Sequence, residues 1–137
     1  MENTMMQHTM VNNLYDIIES APLDEAVGIR IAPVTGNDDF SLLVAEIGPK
    51  KKVGAHYHES GIETYQVVEG EGLMHLGKPD ENNMVTWSDS FHVKTGDCFT
   101  VDEGYVHQLE NTKDSRLIIV VGCAASHVTS DRITVNG

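Results

Sequence analysis

Three histidines and one glutamate stand out in this chain as side chains that can bind a metal ion. His56 and His58 are separated by one residue, Glu63 follows five residues later, and His107 lies far downstream. Imidazole nitrogens and carboxylate oxygens are typical ligands of borderline divalent ions. This grouping makes a metal centre the leading hypothesis for the sequence.

The segments that carry these side chains predict β-strands. Alternate residues of a strand point to the same face, so His56 and His58 can direct their rings towards one point. The segment 96–111 predicts a strand, a glycine-containing bend and a second strand that opens at His107. Local spacing does not say whether His107 faces the other two histidines.

The strand predicted for residues 62–68 carries the glutamate. It is rich in β-branched and aromatic residues, and Glu63, Tyr65 and Val67 share one of its faces. If this strand paired antiparallel with the histidine-bearing strand across residues 59–61, the Glu63 carboxylate would reach the same ion. Half of a coordination sphere would then be assembled locally.

Two blocks of the sequence resemble the paired motifs of the cupin superfamily. The first motif is a glycine, a His-x-His pair, a glutamate after three or four residues and a glycine after six more. The second is a glycine, five residues, Pro-x-Gly, two residues, a histidine, three residues and an asparagine. The chain departs from the pattern at Asp102, which replaces the proline, and at Gly48, which lies one residue too far from the histidines. The matching positions are His56, His58, Glu63, Gly70, Gly96, Gly104, His107 and Asn111.

The resemblance implies an all-β fold, a double-stranded β-helix or jelly-roll barrel, with His56, His58, Glu63 and His107 as metal ligands. Three imidazoles and one carboxylate favour Mn, Fe, Co or Ni, with Zn as a further possibility. The function implied is a metal-dependent enzyme acting on a small, polar, anionic or chelating substrate. Cupin precedent leaves dioxygenase, isomerase, decarboxylase and lyase chemistry open, and a non-catalytic binding or sensory cupin is the alternative.

Tyr65 is the candidate catalytic residue, because it shares the inward face of its strand with Glu63 and can move a proton beside the ion. The alternative is a tyrosine that packs the barrel. Three further histidines, His75, His92 and His127, lie outside the motifs. They could add ligands but are much weaker candidates, with His75 ranked first because its strand follows directly from the motif.

The rest of the chain independently predicts an all-β protein. Short strands at regular spacing, separated by turn residues, are typical of a sandwich or barrel. Residues 14–19 predict a helix that begins after an Asn13 cap. We therefore assign residues 1–28 to an N-terminal arm and 29–137 to a single barrel. The other predicted strands are 29–34, 40–47, 73–76, 84–87, 91–94, 117–123 and 132–135, with a turn at 88–90.

Composition limits the classes of partner. At 137 residues the chain suits one domain, and a net charge of −12 argues against nucleic acid and anionic membranes as partners.

The N-terminus does not resemble a signal peptide, which predicts a cytoplasmic protein with reduced, buried Cys98 and Cys123. The basic run 50–52 reads as a solvated loop, or alternatively as a positive rim for an anionic substrate. A homodimer is expected, with the N-terminal arm as an exchanged element.

Overall fold

The protein, seen in a computed structural model that describes residues 10–24 and 28–137, is built mainly from short β-strands. One α-helix, α1 (Leu14–Ser20), precedes them, and a 3₁₀ helix (Ala125–Val128) lies between the last two strands. The strands are β1 (Ile29–Gly36), β2 (Ser41–Ile47), β3 (His56–Tyr57), β4 (Glu63–Glu69), β5 (Glu71–Pro79), β6 (Val85–Lys94), β7 (Cys98–Val101), β8 (Val106–Glu110), β9 (Leu117–Cys123) and β10 (Ile133–Thr134).

The strands form two five-stranded sheets with the orders β1-β2-β9-β4-β7 and β10-β3-β8-β5-β6. The pairings between these strands are antiparallel. This arrangement confirms the predicted jelly-roll fold. It also shows that β3 and β4 do not pair, so the expectation that Glu63 reaches the histidines through a local hairpin was wrong. The two strands belong to opposite sheets and face each other across the barrel.

The barrel interior follows from the alternation of residues along each strand. On β4 the side chains of Glu63, Tyr65 and Val67 are buried while Thr64 and Gln66 are exposed, as the sequence predicted. The apolar members of this inward face join one continuous core with β2, β9 and the inner face of the other sheet. Each fully buried aliphatic side chain there contributes about 1.5–3 kcal/mol of stabilisation. Glu63 is the charged exception in this face and marks the polar end of the barrel.

A second, smaller core lies outside the barrel. Ile18 of α1 and Ala21 pack on Val44 and Ile118, which project from the outer face of the first sheet. The Asn13 side chain accepts hydrogen bonds from the backbone N–H groups of residues 15 and 16, so the predicted N-cap is confirmed. Residues 1–9 and 25–27 of the predicted arm lie outside the described residues. The helix of the arm covers the barrel of its own chain.

Two local predictions differ from the structure. The expected turn at 88–90 does not form, because Ser90 and Asp89 pair with His75 and Leu76 in one continuous β6, with an irregularity in the register after Leu76. The cysteines are both free, and only Cys123 is buried, whereas Cys98 is exposed. None of the helices within residues 10–24 and 28–137 is long and apolar enough to cross a membrane.

Candidate metal centre

The register between β3 and β8 places two of the candidate ligands side by side. His56 and His107 are direct partners across this pair of strands, and their ring centroids are 4.3 Å apart. His58 follows β3 with its ring 5.1 Å from that of His56. All three side chains are buried. The pairing of strands distant in sequence therefore brings His107 to the His-x-His pair, a contact that local spacing could not predict.

Glu63 enters the same cluster from the opposite sheet. Its Oε2 atom is 3.1 Å from His58 Nε2, and its Oε1 atom is 3.2 Å from His107 Nε2. The carboxylate is 5% exposed, so it has little access to water that would otherwise stabilise its charge. The structure thus brings together His56, His58, Glu63 and His107, the four side chains that the sequence singled out.

Each of the three histidines is held at its Nδ1 atom by a backbone carbonyl. The partners are Gly54 for His56 at 2.8 Å, Asp131 for His58 at 2.5 Å, and Tyr105 for His107 at 3.1 Å. A carbonyl oxygen only accepts a hydrogen bond, so each Nδ1 carries the proton and each Nε2 is left with a lone pair. This is the tautomer that a metal-binding histidine uses when Nε2 is the ligand.

The Nε2 atoms are arranged around a common point, where one ion could bind them. Those of His58 and His107 are buried and form no hydrogen bond within the described part of the chain. Ligands about 2.1 Å from one ion and at right angles to each other are about 3.0 Å apart, which agrees with the two contacts to Glu63. Ring nitrogens of His56, His58 and His107 also lie within 4.8 Å of one another. The donor set therefore fits a divalent transition-metal ion.

The electrostatics of the cluster favour a neutral His56 and an ionised Glu63. Burial, together with repulsion from His107, lowers the pKa of His56 to about 3. Burial alone would raise the pKa of Glu63, but the close His107 and His58 rings hold it well below its ordinary value. Burial also opposes charge on His58, yet contact with Glu63 raises the pKa of that ring. Glu63 is thus ionised, and His56 is ready to donate a lone pair at neutral pH.

The other motif residues shape the loops and do not enter the cluster. The Gly104 N–H donates to the carbonyl of His58 at 2.8 Å, which joins the two motif loops. The side-chain amide of Asn111 donates to the carbonyls of Ile47, Gly48 and Ser115. Asp102, at the proline position, is exposed and lies in the turn before β8. The departure from the motif therefore leaves the candidate ligands in place.

Tyr65 lies directly beside the cluster. Its hydroxyl donates to Glu63 Oε1 at 3.3 Å, and its ring stacks on Phe99 with centroids 5.1 Å apart. Burial, reinforced by the charge of Glu63, raises its pKa well above the ordinary value of 10.0. The hydroxyl is therefore protonated at neutral pH and acts as a hydrogen-bond donor to the carboxylate.

His127 is a member of the cluster that the sequence analysis did not select. Its Nδ1 atom is 3.0 Å from Glu63 Oε2, and its ring stacks on that of His58 with centroids 4.1 Å apart. His127 was hard to identify from the sequence because it lies outside both motifs. The one indication was that it follows shortly after the apolar strand β9. His75, which we ranked above it, instead contacts Ser90 and Glu110 at 2.7 and 3.0 Å, and His92 is exposed on β6.

This combination of barrel and buried His/Glu cluster agrees with comparisons with known proteins. The family model of the cupin domain matches residues 43–123. The chain therefore belongs to the cupin family. The matched segment includes the four predicted ligands and ends before His127.

Among individual proteins, the chain is similar to an oxalate-binding protein of Thermotoga maritima, with 36% identity over 73 residues, which is 53% of this chain and 51% of that protein. It thus spans about half the length of this curated relative. A double-stranded β-helix protein of Klebsiella pneumoniae has 25% identity and a TM-score of 0.62, over 80% of this chain and 85% of that one. An oxalate oxidase structure, at 19% identity and a TM-score of 0.61 over 93% of this chain and 61% of that one, shares the fold.

Proposed function

We propose that the cluster is a divalent metal centre with His56, His58, Glu63 and His107 as ligands, and that its ion binds a small chelating anion. The observation that supports this most strongly is the pair of buried Nε2 atoms on His58 and His107. Neither has a hydrogen-bond partner in the described chain, although a buried polar atom without a partner costs about 1–3 kcal/mol. An ion bound between the rings and the carboxylate would remove that cost.

The charge of the centre indicates the class of ligand. One carboxylate on a divalent ion leaves about one unit of positive charge, inside a protein whose net charge is −12. Such a charge would favour a small anion that offers two oxygen atoms to the ion. Oxalate is the first compound to test, because the relative with 36% identity is an oxalate-binding protein. Lys50 gives no support to a positive rim, since its ammonium contacts the Thr112 carbonyl at 2.8 Å and Asp114 at 3.8 Å.

Turnover of the bound anion is the second candidate function, and the position of Tyr65 favours it. A bound divalent ion would supply Lewis-acid chemistry to the oxygens of the substrate. Tyr65 would contribute a buried proton, which its hydroxyl holds 3.3 Å from Glu63. Because its pKa is raised, the hydroxyl stays protonated at neutral pH and is available as a donor, although the same shift makes it a weaker acid. Dioxygenase, isomerase, decarboxylase and lyase reactions all remain candidates for the enzyme.

Metal analysis after chelation and reloading with Mn, Fe, Co, Ni or Zn tests the centre. We expect about one ion per chain in the wild type and a large loss of occupancy in His58→Ala. His92→Ala is the matched control, because His92 is exposed on β6. Full occupancy in His58→Ala would refute the ligand assignment, and a wild type that accepts none of these ions would refute the centre.

Calorimetric titration with oxalate tests the ligand class. Binding should require the ion, so the metal-loaded protein should bind oxalate and the chelated protein should not. Acetate, which has a single carboxylate, is the control for chelation and should bind more weakly. Equal binding of oxalate with and without the ion would show that the cluster does not hold the anion.

A further inference from the structure

Glu63 makes two kinds of contact with the histidines around it. The Nε2 atoms of His58 and His107 lie 3.1 and 3.2 Å from its oxygens but form no hydrogen bond in the described chain. His127, at the similar distance of 3.0 Å, does form one through Nδ1. An N–H group hydrogen-bonded to an oxygen is in place to orient it, whereas a close ring nitrogen without such a bond is free to bind an ion. Ligand atoms of His58, Glu63 and His127 also lie within 4.8 Å of one another, so it is the hydrogen bond to the carboxylate, and not distance, that separates His127 from the candidate ligands.

The opposite edge of the His127 ring is fixed as well. Its Nε2 atom is 2.6 Å from the carbonyl oxygen of Ser60, and the side chain is 1% exposed. The ring also lies almost parallel to that of His58, with an angle of 4° between the planes. Both partners accept hydrogen bonds, so the ring donates to both only when each nitrogen carries a proton. Held at both nitrogens and on one face, it has little freedom to rotate. It can consequently impose a direction on the carboxylate that it contacts.

The segment that carries His127 also holds the loop that leads to Glu63. Asp131 accepts hydrogen bonds from the N–H groups of Glu59 and Ser60 at 2.8 and 3.0 Å, and its carbonyl anchors His58. This segment follows the region that the cupin family model matches. The chain thus supplies, from beyond the matched domain, a support for both the glutamate and one of the histidines.

We propose that His127 is a positioning residue of the metal centre, which orients the Glu63 carboxylate by a hydrogen bond from Nδ1 while Ser60 anchors its Nε2. The inference rests on the proposed function, because it assumes that Glu63 binds an ion. A hydrogen-bonded ligand carboxylate is fixed in direction, and loss of such a partner typically lowers metal affinity 10- to 100-fold. In this proposal His127 orients the carboxylate and is not itself a ligand.

The test compares three variants by Co(II) affinity and by the visible absorption spectrum of the Co(II) form. His127→Ala removes the hydrogen bond and should weaken Co(II) binding about 10- to 100-fold, with an altered spectrum as the carboxylate changes its binding mode. His127→Asn keeps an N–H donor near the position of Nδ1 and should restore affinity and spectrum in large part. Val128→Ala, at the exposed neighbouring residue, should match the wild type.

Three outcomes would overturn the proposal while leaving the metal centre intact. The Ala variant could match the wild type in affinity and spectrum, which would make His127 a packing residue. The Asn variant, if folded by circular dichroism, could fail as badly as the Ala variant, which would exclude the hydrogen bond as the cause. Pulsed paramagnetic resonance of a Mn(II)-loaded wild type could detect four histidine nitrogens, which would make His127 a ligand. A wild type that binds no ion would instead refute the proposed function and this inference together.

Discussion

At the scale of single residues, the tautomer of each histidine is set by the backbone. The carbonyls of Gly54, Asp131 and Tyr105 each accept a hydrogen bond at Nδ1 of one of the three rings. Free imidazole can place its proton on either nitrogen, so fixing it on Nδ1 in advance lowers the cost of presenting three Nε2 lone pairs at once. If the proposed centre binds an ion, the protein thus prepares the ligand atoms in advance.

Tyr65→Phe tests whether the hydroxyl beside Glu63 has a chemical role. Removing it deletes one hydrogen bond to the carboxylate but keeps the ring that stacks on Phe99. We expect metal content to be unchanged and the free energy of unfolding to fall by about 1 kcal/mol. If the protein is an enzyme and Tyr65 donates a proton, turnover should drop about 100-fold or more at unchanged ligand affinity.

Tyr57→Phe is a suitable control for that experiment, because it removes a hydroxyl from a half-buried tyrosine on β3. Turnover should be the same in this variant as in the wild type. Unchanged turnover in Tyr65→Phe as well would leave Tyr65 as a packing residue. The measurements are metal analysis, urea unfolding and the rate with any substrate identified by the oxalate titration.

The pKa of His56 predicts how the metal-free protein responds to acid. It is about 3 in the folded protein and 6.5 for the unperturbed side chain. Between these values the unfolded chain binds a proton that the folded chain does not, so acidification favours unfolding. The stability that His56 contributes should therefore be fully present above pH 6.5 and should decline as the pH falls from 6.5 towards 5, whereas His58, whose pKa is raised, acts in the opposite direction.

His56→Gln isolates this contribution. Glutamine does not titrate, so the variant should lose stability less steeply than the wild type over pH 6.5 to 5. The measurement is urea unfolding in chelator at several pH values, with His92→Gln, at an exposed position, as the control that keeps the wild-type slope. A slope in His56→Gln as steep as that of the wild type would show that His56 is not held neutral.

At the scale of elements, the short strand β3 positions two of the candidate metal ligands, His56 within it and His58 directly after it. It has two residues, yet it pairs with β8 on one side and with β10 on the other. These partners come from residues 106–110 and 133–134, so the geometry of the His-x-His pair depends on strands distant in sequence. Pairing at this range is determined by the whole barrel and not by the propensity of the local sequence.

This dependence explains which parts of the fold could be predicted from the sequence. The alternation that directs Glu63 and Tyr65 inwards is a local property, as is the Asn13 cap, and both were predicted. The placement of β3 and β4 in opposite sheets depends on long-range packing, and it was predicted wrongly. The same limit applies to the expected turn at 88–90, where pairing with β5 outweighed the turn propensity of Ser-Asp-Ser. It also applies to His127, which no motif marks.

The helix α1 provides a prediction at this scale. Ile18 is fully buried on the outer face of the first sheet, against Val44 and Ile118. Truncation in Ile18→Ala should lower the free energy of unfolding by about 2–5 kcal/mol, through lost burial and the cavity left behind. Because α1 lies outside the barrel, Co(II) affinity should not change.

Val11→Ala is the matched control for Ile18→Ala, since Val11 is 95% exposed and its truncation should cost within about 0.5 kcal/mol. Both free energies can be measured by urea unfolding with the metal removed. Equal stability of the two variants would show that α1 does not pack on the sheet in solution. Loss of Co(II) affinity in Ile18→Ala would show that the outer layer and the centre are coupled.

At the scale of the whole molecule, the charge and the open edges of the sheets act in opposite directions on association. The net charge of −12 makes two chains repel each other. Against this, β1 is an edge strand of its sheet, and Ile31 on it is 51% exposed. An exposed apolar edge strand favours pairing with another chain. The balance of the two effects determines whether the protein is a monomer or a dimer.

We predict a homodimer formed through such an edge, with a sedimentation mass twice the 15.0 kDa of the chain. Salt screens repulsion between like charges, so raising the ionic strength should strengthen the dimer. Ile31→Glu adds a charge at the edge and should give the monomer, whereas Ile62→Glu, at an equally exposed isoleucine before β4, should remain a dimer.

A monomer mass for the wild type at all salt concentrations would contradict the prediction. A dimer that persists in Ile31→Glu would exclude the β1 edge as its interface. Because the centre is assembled within one chain, metal occupancy should be the same in monomer and dimer.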